Sequence, residues 1–169
     1  MKVFVTVGTT RFDDLVRQIL QPQVLHILRQ KGYTELLIQS GKSEFPQDLL
    51  TNASQVLEVT QYTFKPDLKA DIASADLVVS HAGAGTCVEV LDDARKPLVV
   101  VVNDKLMNNH QTELAEKLAS EGHLEYCFVS NLAATLEAFD SARLTPMPKG
   151  DTKAFADWLD KSMEEFMQA

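Results

Sequence analysis

The sequence predicts a three-layer α/β fold with a mostly parallel sheet and helices on both faces. Three observations carry that prediction. Short apolar, β-branched runs recur along the chain, as they do in strands covered on both sides. Stretches with apolar residues at helical spacing separate them, the alternation expected of a parallel sheet. The segment from Asp76 to Glu89 condenses the pattern into strand, glycine turn and helix.

Val3 to Val7 opens the chain as a predicted central strand, turned by Gly8-Thr9-Thr10. Asp13 or Thr10 is expected to cap a helix carrying Leu15, Val16 and Ile19. Pro22 interrupts it, and Val24, Leu25 and Leu28 continue a helical face up to Gly32. Leu36-Leu37-Ile38 is the second strand, and a polar stretch with Gly41 and Pro46 follows. Val56 to Val59 is the expected third strand. Phe64-Lys65-Pro66-Asp67 opens a short helix running through Ile72.

Leu77-Val78-Val79 is the fourth strand, ended by Ser80 and His81. Gly83-Ala84-Gly85-Thr86 turns into a helix with Val88, Val90 and Leu91 on its buried side. Pro97 to Val102 is the strongest strand. A helix from about Asn109 to Ser120 carries Leu114, Ala115 and Leu118 and stops before Gly122. Tyr126 to Val129 is a sixth strand, and Leu132, Leu136 and Phe139 mark another helix. Arg143 to Gly150 reads as an irregular link, and residues 151–167 as a final amphipathic helix with Phe155, Trp158, Leu159 and Phe166. The whole is Rossmann-like and is expected to be one domain, 1–169. Ligands of such sheets bind beyond the carboxyl ends of the strands. The turns gathered there are Gly8–Thr10, Gly41–Ser43, Gln61–Phe64, His81–Thr86 and Asn103–Gln111.

The 169 residues suffice for a good core. A net charge of −8 lacks the basic footprint of a general nucleic-acid binder or an electrostatic membrane anchor. No signal peptide is read at the start of the sequence, and no apolar run approaches the roughly 18 residues that span a bilayer. Cys87 and Cys127 show no metal or redox spacing, so reduced thiols in the cytosol are expected.

Several motifs compete for the chemistry. Gly41-Lys42-Ser43 resembles the end of a phosphate-binding loop, but Leu36 stands where that motif needs its first glycine. Gly83-Ala84-Gly85 could begin a dinucleotide fingerprint, with Asp104 near the ribose position, yet Val88 fills the third glycine place. No serine sits in a Gly-x-Ser-x-Gly elbow. His26 and His123 read as structural, and Asp13-Asp14 and Asp92-Asp93 as helix starts or solvated faces. No Asp-x-Asp occurs, so no metal is expected, and no cofactor. The glycine turn before a helix is by itself an anion site, most often for phosphate, with Glu89 one turn in.

The residues also carry a family resemblance. Val5 to Thr10 with Phe12-Asp13, the run Ala75 to Thr86, Glu89, and Lys96-Pro97-Leu98 through Asn108-Asn109-His110-Gln111 resemble the nucleotide-sugar-binding half of two-domain, GT-B inverting glycosyltransferases. The resemblance is closer to the small subunits of the UDP-N-acetylglucosamine transferases that add the second sugar to the dolichol-linked N-glycan precursor. A bacterial relative that makes the peptidoglycan lipid precursor has both halves in one chain.

That resemblance implies roles. Glu89 would bind the ribose hydroxyls of UDP, a diol that a carboxylate can accept from twice. Gly83, Ala84, Gly85 and Thr86 would hold the diphosphate through backbone N–H groups, with His81 beside them. Gly8, Thr9 and Thr10 would approach from the first turn. Backbone at Phe64 and Lys65 would read the uracil edge. Asn109, His110 and Gln111 would face the sugar and the departing phosphate. The implied partner is a membrane-anchored acceptor-binding subunit that supplies the base, with His110 a weak candidate for that role. The implied place is the cytoplasmic face of the endoplasmic reticulum. The alternative is a module that senses a nucleotide sugar or a dinucleotide without chemistry.

Overall fold

The computed structural model describes residues 1–44, 47–103 and 110–147. They form one sheet of six strands: β1 (Lys2–Thr6), β2 (Glu35–Gln39), β3 (Glu58–Tyr62), β4 (Leu77–His81), β5 (Leu98–Val102) and β6 (Glu125–Phe128). Every pairing is parallel and the order is β3-β2-β1-β4-β5-β6. That order reverses direction between β1 and β4, where a crevice opens at the carboxyl ends.

Alternation along the strands sorts the core onto two faces. Val3, Val5, Ile38, Val79 and Val101 point to one face. They meet α1 (Asp13–Ile19), α2 (Pro22–Gln30), α3 (Gln47–Ala53) and α7 (Leu132–Ala138) through Leu15, Leu25, Ala53 and Leu136. Phe4, Val78, Leu98, Val100 and Val102 point to the other. There they meet α4 (Lys69–Ser74), α5 (Ala84–Val88) and α6 (His110–Ser120) through Ile72, Cys87 and Leu114. All five residues of β5 are buried, which explains its continuous valine run.

The structure moves several expected boundaries. The third strand is Glu58–Tyr62, not Val56–Val59. Leu57 is buried, Val56 packs against the same core, and both close the turn after α3 through their N–H groups to Ala53. As an edge strand, β3 pairs on one side and tolerates a polar sequence. The polar stretch after Gly41 holds an unexpected helix, α3. Neither Thr10 nor Asp13 caps α1. Phe12 occupies that place, its N–H donating to the Ser43 hydroxyl at 2.7 Å, while the Thr10 hydroxyl donates to Val7 O. The helix expected to open at Phe64 begins at Lys69, whose N–H donates to Asp67 Oδ1 at 2.8 Å. After α5 the chain widens into a π-helical turn, Glu89–Asp93. The link expected after Arg143 is irregular as far as Met147. The amphipathic helix expected over 151–167 lies outside the described residues.

Gly41-Lys42-Ser43 is a brace for the first turn. Gly41 N–H donates to Thr63 O and Lys42 N–H to Thr10 O, both at 3.0 Å. Gly41 has φ +56, and a Cβ there would sit 2.6 Å from Thr10 O and 2.7 Å from Gly8 O. Any side chain meets both left-handed backbone strain and two carbonyls. Gly41→Ala should therefore lower stability by about 2 kcal/mol or more. Thermal melts should show a fall in Tm of roughly 4–8 °C; an unchanged melt would contradict the brace.

Candidate functional site

The site begins where β1 and β4 end side by side, Thr6 level with Ser80. Gly8 turns the chain after β1 with φ +61. Gly83 follows β4. The His81 ring fills the space between these two turns. A Cβ on Gly8 would come within 2.9 Å of His81 Cε1, and one on Gly83 within 2.5 Å of Nε2. The glycines thus leave room for an imidazole. Burial lowers the His81 pKa, with the Thr6 carbonyl partly opposing, so the ring is neutral at pH 7. Its Nδ1 is buried and has no hydrogen-bond partner among the described residues.

Beyond His81, Gly83 N–H donates to His81 O at 2.8 Å and is already committed. Cys87 N–H makes the first helical bond, to Gly83 O at 3.0 Å. Ala84, Gly85 and Thr86 therefore open α5 with N–H groups that have no acceptor within the helix. Among the described residues, nothing outside its chain neighbours and its own helix backbone lies within 4 Å of a Cβ placed on Gly85. The following π-helical turn starts at Glu89, so the widened backbone carries that carboxylate. Such turns often mark functional positions.

The opposite rim is the segment from Thr63 to Lys69. The Lys65 ammonium bonds both oxygens of Asp71, at 2.9 and 2.8 Å, and lies 4.3 Å from the centroid of the Tyr62 ring. The Tyr62 hydroxyl also donates to Asp71. Burial raises the Asp71 pKa, but the bonds from Lys65 and Tyr62 outweigh it and hold the carboxyl below its usual range. Burial and the same carboxylate push the Tyr62 phenol up. Lys65 is therefore tied to its own segment. Phe64 stands 64% exposed beside it.

Gly8, Thr9, Phe64, Lys65 and Glu89 line one cleft of about 480 Å³, with Gln39, Asp67 and Lys69. These five are sequence-predicted site residues. His81 and Gly83 stand behind Gly8, and Ala84, Gly85 and Thr86 open the helix leading to Glu89. Thr10 turns its hydroxyl inward to Val7 O at 2.7 Å. Asn109 and the side chains of His110 and Gln111 lie outside the described residues; the backbone of His110 begins α6. Sequence reasoning missed Gln39, Asp67 and Asp71, and a polar residue closing an apolar strand was the available signal for Gln39. A second hollow of about 200 Å³ lies at the opposite end of the sheet, between Arg95, Pro97, His123 and Met147. His123 Nδ1 meets Thr145 O there at 2.8 Å, a structural bond.

The Glu89 carboxyl titrates above the ordinary value. Burial is the main cause, Asp67 and Asp93 add to it, and Lys69 opposes. In the window between the unfolded and the raised folded pKa, the native state holds more protons than the unfolded chain. Stability is thus lost as pH rises through that window. Glu89→Gln removes this titration. Its stability relative to the parent chain should rise from about pH 4 to pH 7 in urea melts, with the variant at least as stable at pH 7. A variant less stable at pH 7 would contradict the assignment.

A sequence profile of the glycosyltransferase family 28 C-terminal domain matches residues 2–163. The human UDP-N-acetylglucosamine transferase subunit ALG13 is 52% identical over 125 residues, which are 74% of this chain and 11% of that protein. The chain thus spans about a tenth of that relative's length. An NMR solution structure of ALG13 superposes with a TM-score of 0.71 at 28% identity, covering 94% of both chains. The crystal structure of Acinetobacter baumannii MurG gives 0.66 at 21% identity, over 95% of this chain and 49% of that one, a likeness of fold. The architecture is equivalent to the C-terminal half of a GT-B glycosyltransferase. With the family profile spanning nearly its whole length, the chain belongs to the glycosyltransferase family 28 C-terminal domain.

Proposed function

We propose that this chain is the donor-binding part of an inverting glycosyltransferase. It moves N-acetylglucosamine from UDP-N-acetylglucosamine to dolichyl-diphosphate-N-acetylglucosamine, the second step of N-glycan precursor assembly. The observation that carries the reading is the cleft at the β1/β4 crossover. Glu89 lines it opposite the braced loop, and the start of α5, whose first N–H groups have no acceptor within the helix, stands one turn before that carboxylate. A nucleoside diphosphate fits this order of groups. Glu89 accepts from the ribose diol, the N–H groups of Ala84, Gly85 and Thr86 face the diphosphate, and the Phe64–Lys65 rim meets the base. Gly85 adds support: it stands in the first turn of α5, and among the described residues no atom outside its own helix crowds a side chain there. Open space over a bare backbone suits a close-lying phosphate. Relatives named as subunits of a UDP-N-acetylglucosamine transferase point to the same donor.

The chemistry proposed is one in-line displacement at the anomeric carbon, with UDP leaving. The helix dipole and the N–H donors stabilise charge on the departing diphosphate, and no metal is needed. The acceptor and the general base come from a membrane-anchored partner subunit that closes the cleft from the open side and excludes water. No helix among the described residues is long and apolar enough to cross a membrane. In this reading the partner carries the recruitment to the cytosolic face of the endoplasmic reticulum.

The test is transfer of labelled sugar to the lipid acceptor, by the chain alone and together with its co-expressed membrane subunit. The pair should transfer and the chain alone should not; equal rates would overturn the split-enzyme reading. Within the pair, Glu89→Ala should weaken donor use by roughly ten- to a hundredfold at limiting donor. Gly85→Ala should weaken it too, with the fold retained in thermal melts. Normal turnover in either folded variant contradicts its placement.

Metal dependence gives a separate check on the same site. Activity of the pair should survive thorough chelation with EDTA. Loss of activity, restored by Mg²⁺ or Mn²⁺, would count against charge stabilisation by the helix start.

A further inference from the structure

We infer that Gln39 is the positioning residue of this cleft, its side-chain amide holding the two facing rims at one fixed separation. The inference rests on the donor-site reading above. Gln39 ends β2 and is 2% exposed. Its Nε2 donates to Gly8 O at 2.8 Å and to Thr63 O at 2.7 Å, and its Oε1 accepts from the Thr6 hydroxyl at 2.6 Å. Gly8 and Thr63 belong to opposite rims: the turn after β1, and the segment that carries Phe64.

The bonds allow one arrangement only. The Thr6 hydroxyl has a single hydrogen, given to Gln39, and its oxygen accepts from Gly8 N–H at 3.1 Å. The amide must then point its oxygen at Thr6 and its nitrogen at the two carbonyls. Turned over, it would set an oxygen against two oxygens. Gly8 is thus gripped through both its N–H, by Thr6, and its C=O, by Gln39. The Thr63 carbonyl is gripped twice, by Gln39 and by Gly41 N–H at 3.0 Å. Both amide hydrogens are consumed in this way, so Gln39 has no donor left for a ligand although it lines the cleft. It acts through Gly8 and Thr63, and Phe64 takes its place from its neighbour. The cleft is set before the ligand arrives, which lowers the cost of binding.

The test is calorimetric titration of the full chain with UDP, beside thermal melts. Gln39→Met keeps length and burial but makes none of the three bonds. It should weaken UDP binding by about tenfold or more. Its Gly8 and Phe64 amide resonances should move, while those of Ala84 to Thr86 hold. Leu136→Ala, buried against α2 and remote from the cleft, should lower Tm with UDP affinity unchanged. Thr6→Val breaks the same network from the other end. The double variant should therefore bind UDP no more weakly than the worse single one. A Gln39→Met chain with a lower Tm and parental UDP affinity overturns the inference and leaves the donor site standing. If Gln39→Met does not fold, Thr6→Val with parental UDP affinity overturns it equally. A parental chain that binds no UDP overturns the donor-site reading itself, and the inference with it.

Discussion

Two adjacent parallel strands that leave the sheet in opposite directions create the crevice on which everything else depends. After β1 the chain climbs to the face covered by α1, α2, α3 and α7; after β4 it climbs to the face covered by α4, α5 and α6. No helix can cover the space between two such departures. The crevice must still be floored, and His81 does this, its ring held between Gly8 and Gly83. The partly buried imidazole is a spacer here. Its size sets how closely the two glycine turns approach, and so where the start of α5 stands relative to the first turn.

Around that floor the local choices run against stability. A partly buried carboxylate at Glu89 faces Asp67 and Asp93. A buried ring nitrogen of His81 lacks a partner among the described residues. Gly85 occupies a helix where alanine would fit. Each is a departure from consistency between sequence and fold, and such departures collect at functional sites. Compensation lies close by. Thr6 and Gln39 satisfy the polar groups under the first turn, and Asp71 with Lys65 and Tyr62 stiffens the opposite rim. The core beneath is fully buried on both faces of β1, β4 and β5 and supplies the stability these groups draw on.

Much of this was legible before any coordinates. Continuous apolar runs announced β4 and β5 because burial on both faces leaves no polar positions. The glycine turn after Val79 announced the start of α5, and its spacing put Glu89 one turn in. What stayed hidden depended on tertiary partners. The edge strand β3 has one neighbour and a polar sequence, so the apolar Val56-Leu57 before it drew the boundary too early. Helix α3 buries Ala53 and partly Leu49, too little for a helical stripe to stand out. Gln39 looked like the polar end of a strand, because its three partners come from two segments distant in sequence, the end of β1 with the turn after it and the turn after β3. The resemblance offered Lys65 only through its backbone, and the partner of its side-chain charge, Asp71, is visible only in the fold.

The central proposal is that the crossover cleft, and not the hollow at the opposite end of the sheet, receives a uridine diphosphate. Titrating isotope-labelled protein with UDP-N-acetylglucosamine and following backbone amide resonances tests it directly. The account predicts shifts concentrated at Gly8–Thr9, Phe64–Lys69 and Ala84–Glu89, with none at Arg95–Pro97, His123 or Met147. Shifts confined to the opposite hollow, or a response to NAD in place of the UDP-sugar, would contradict it.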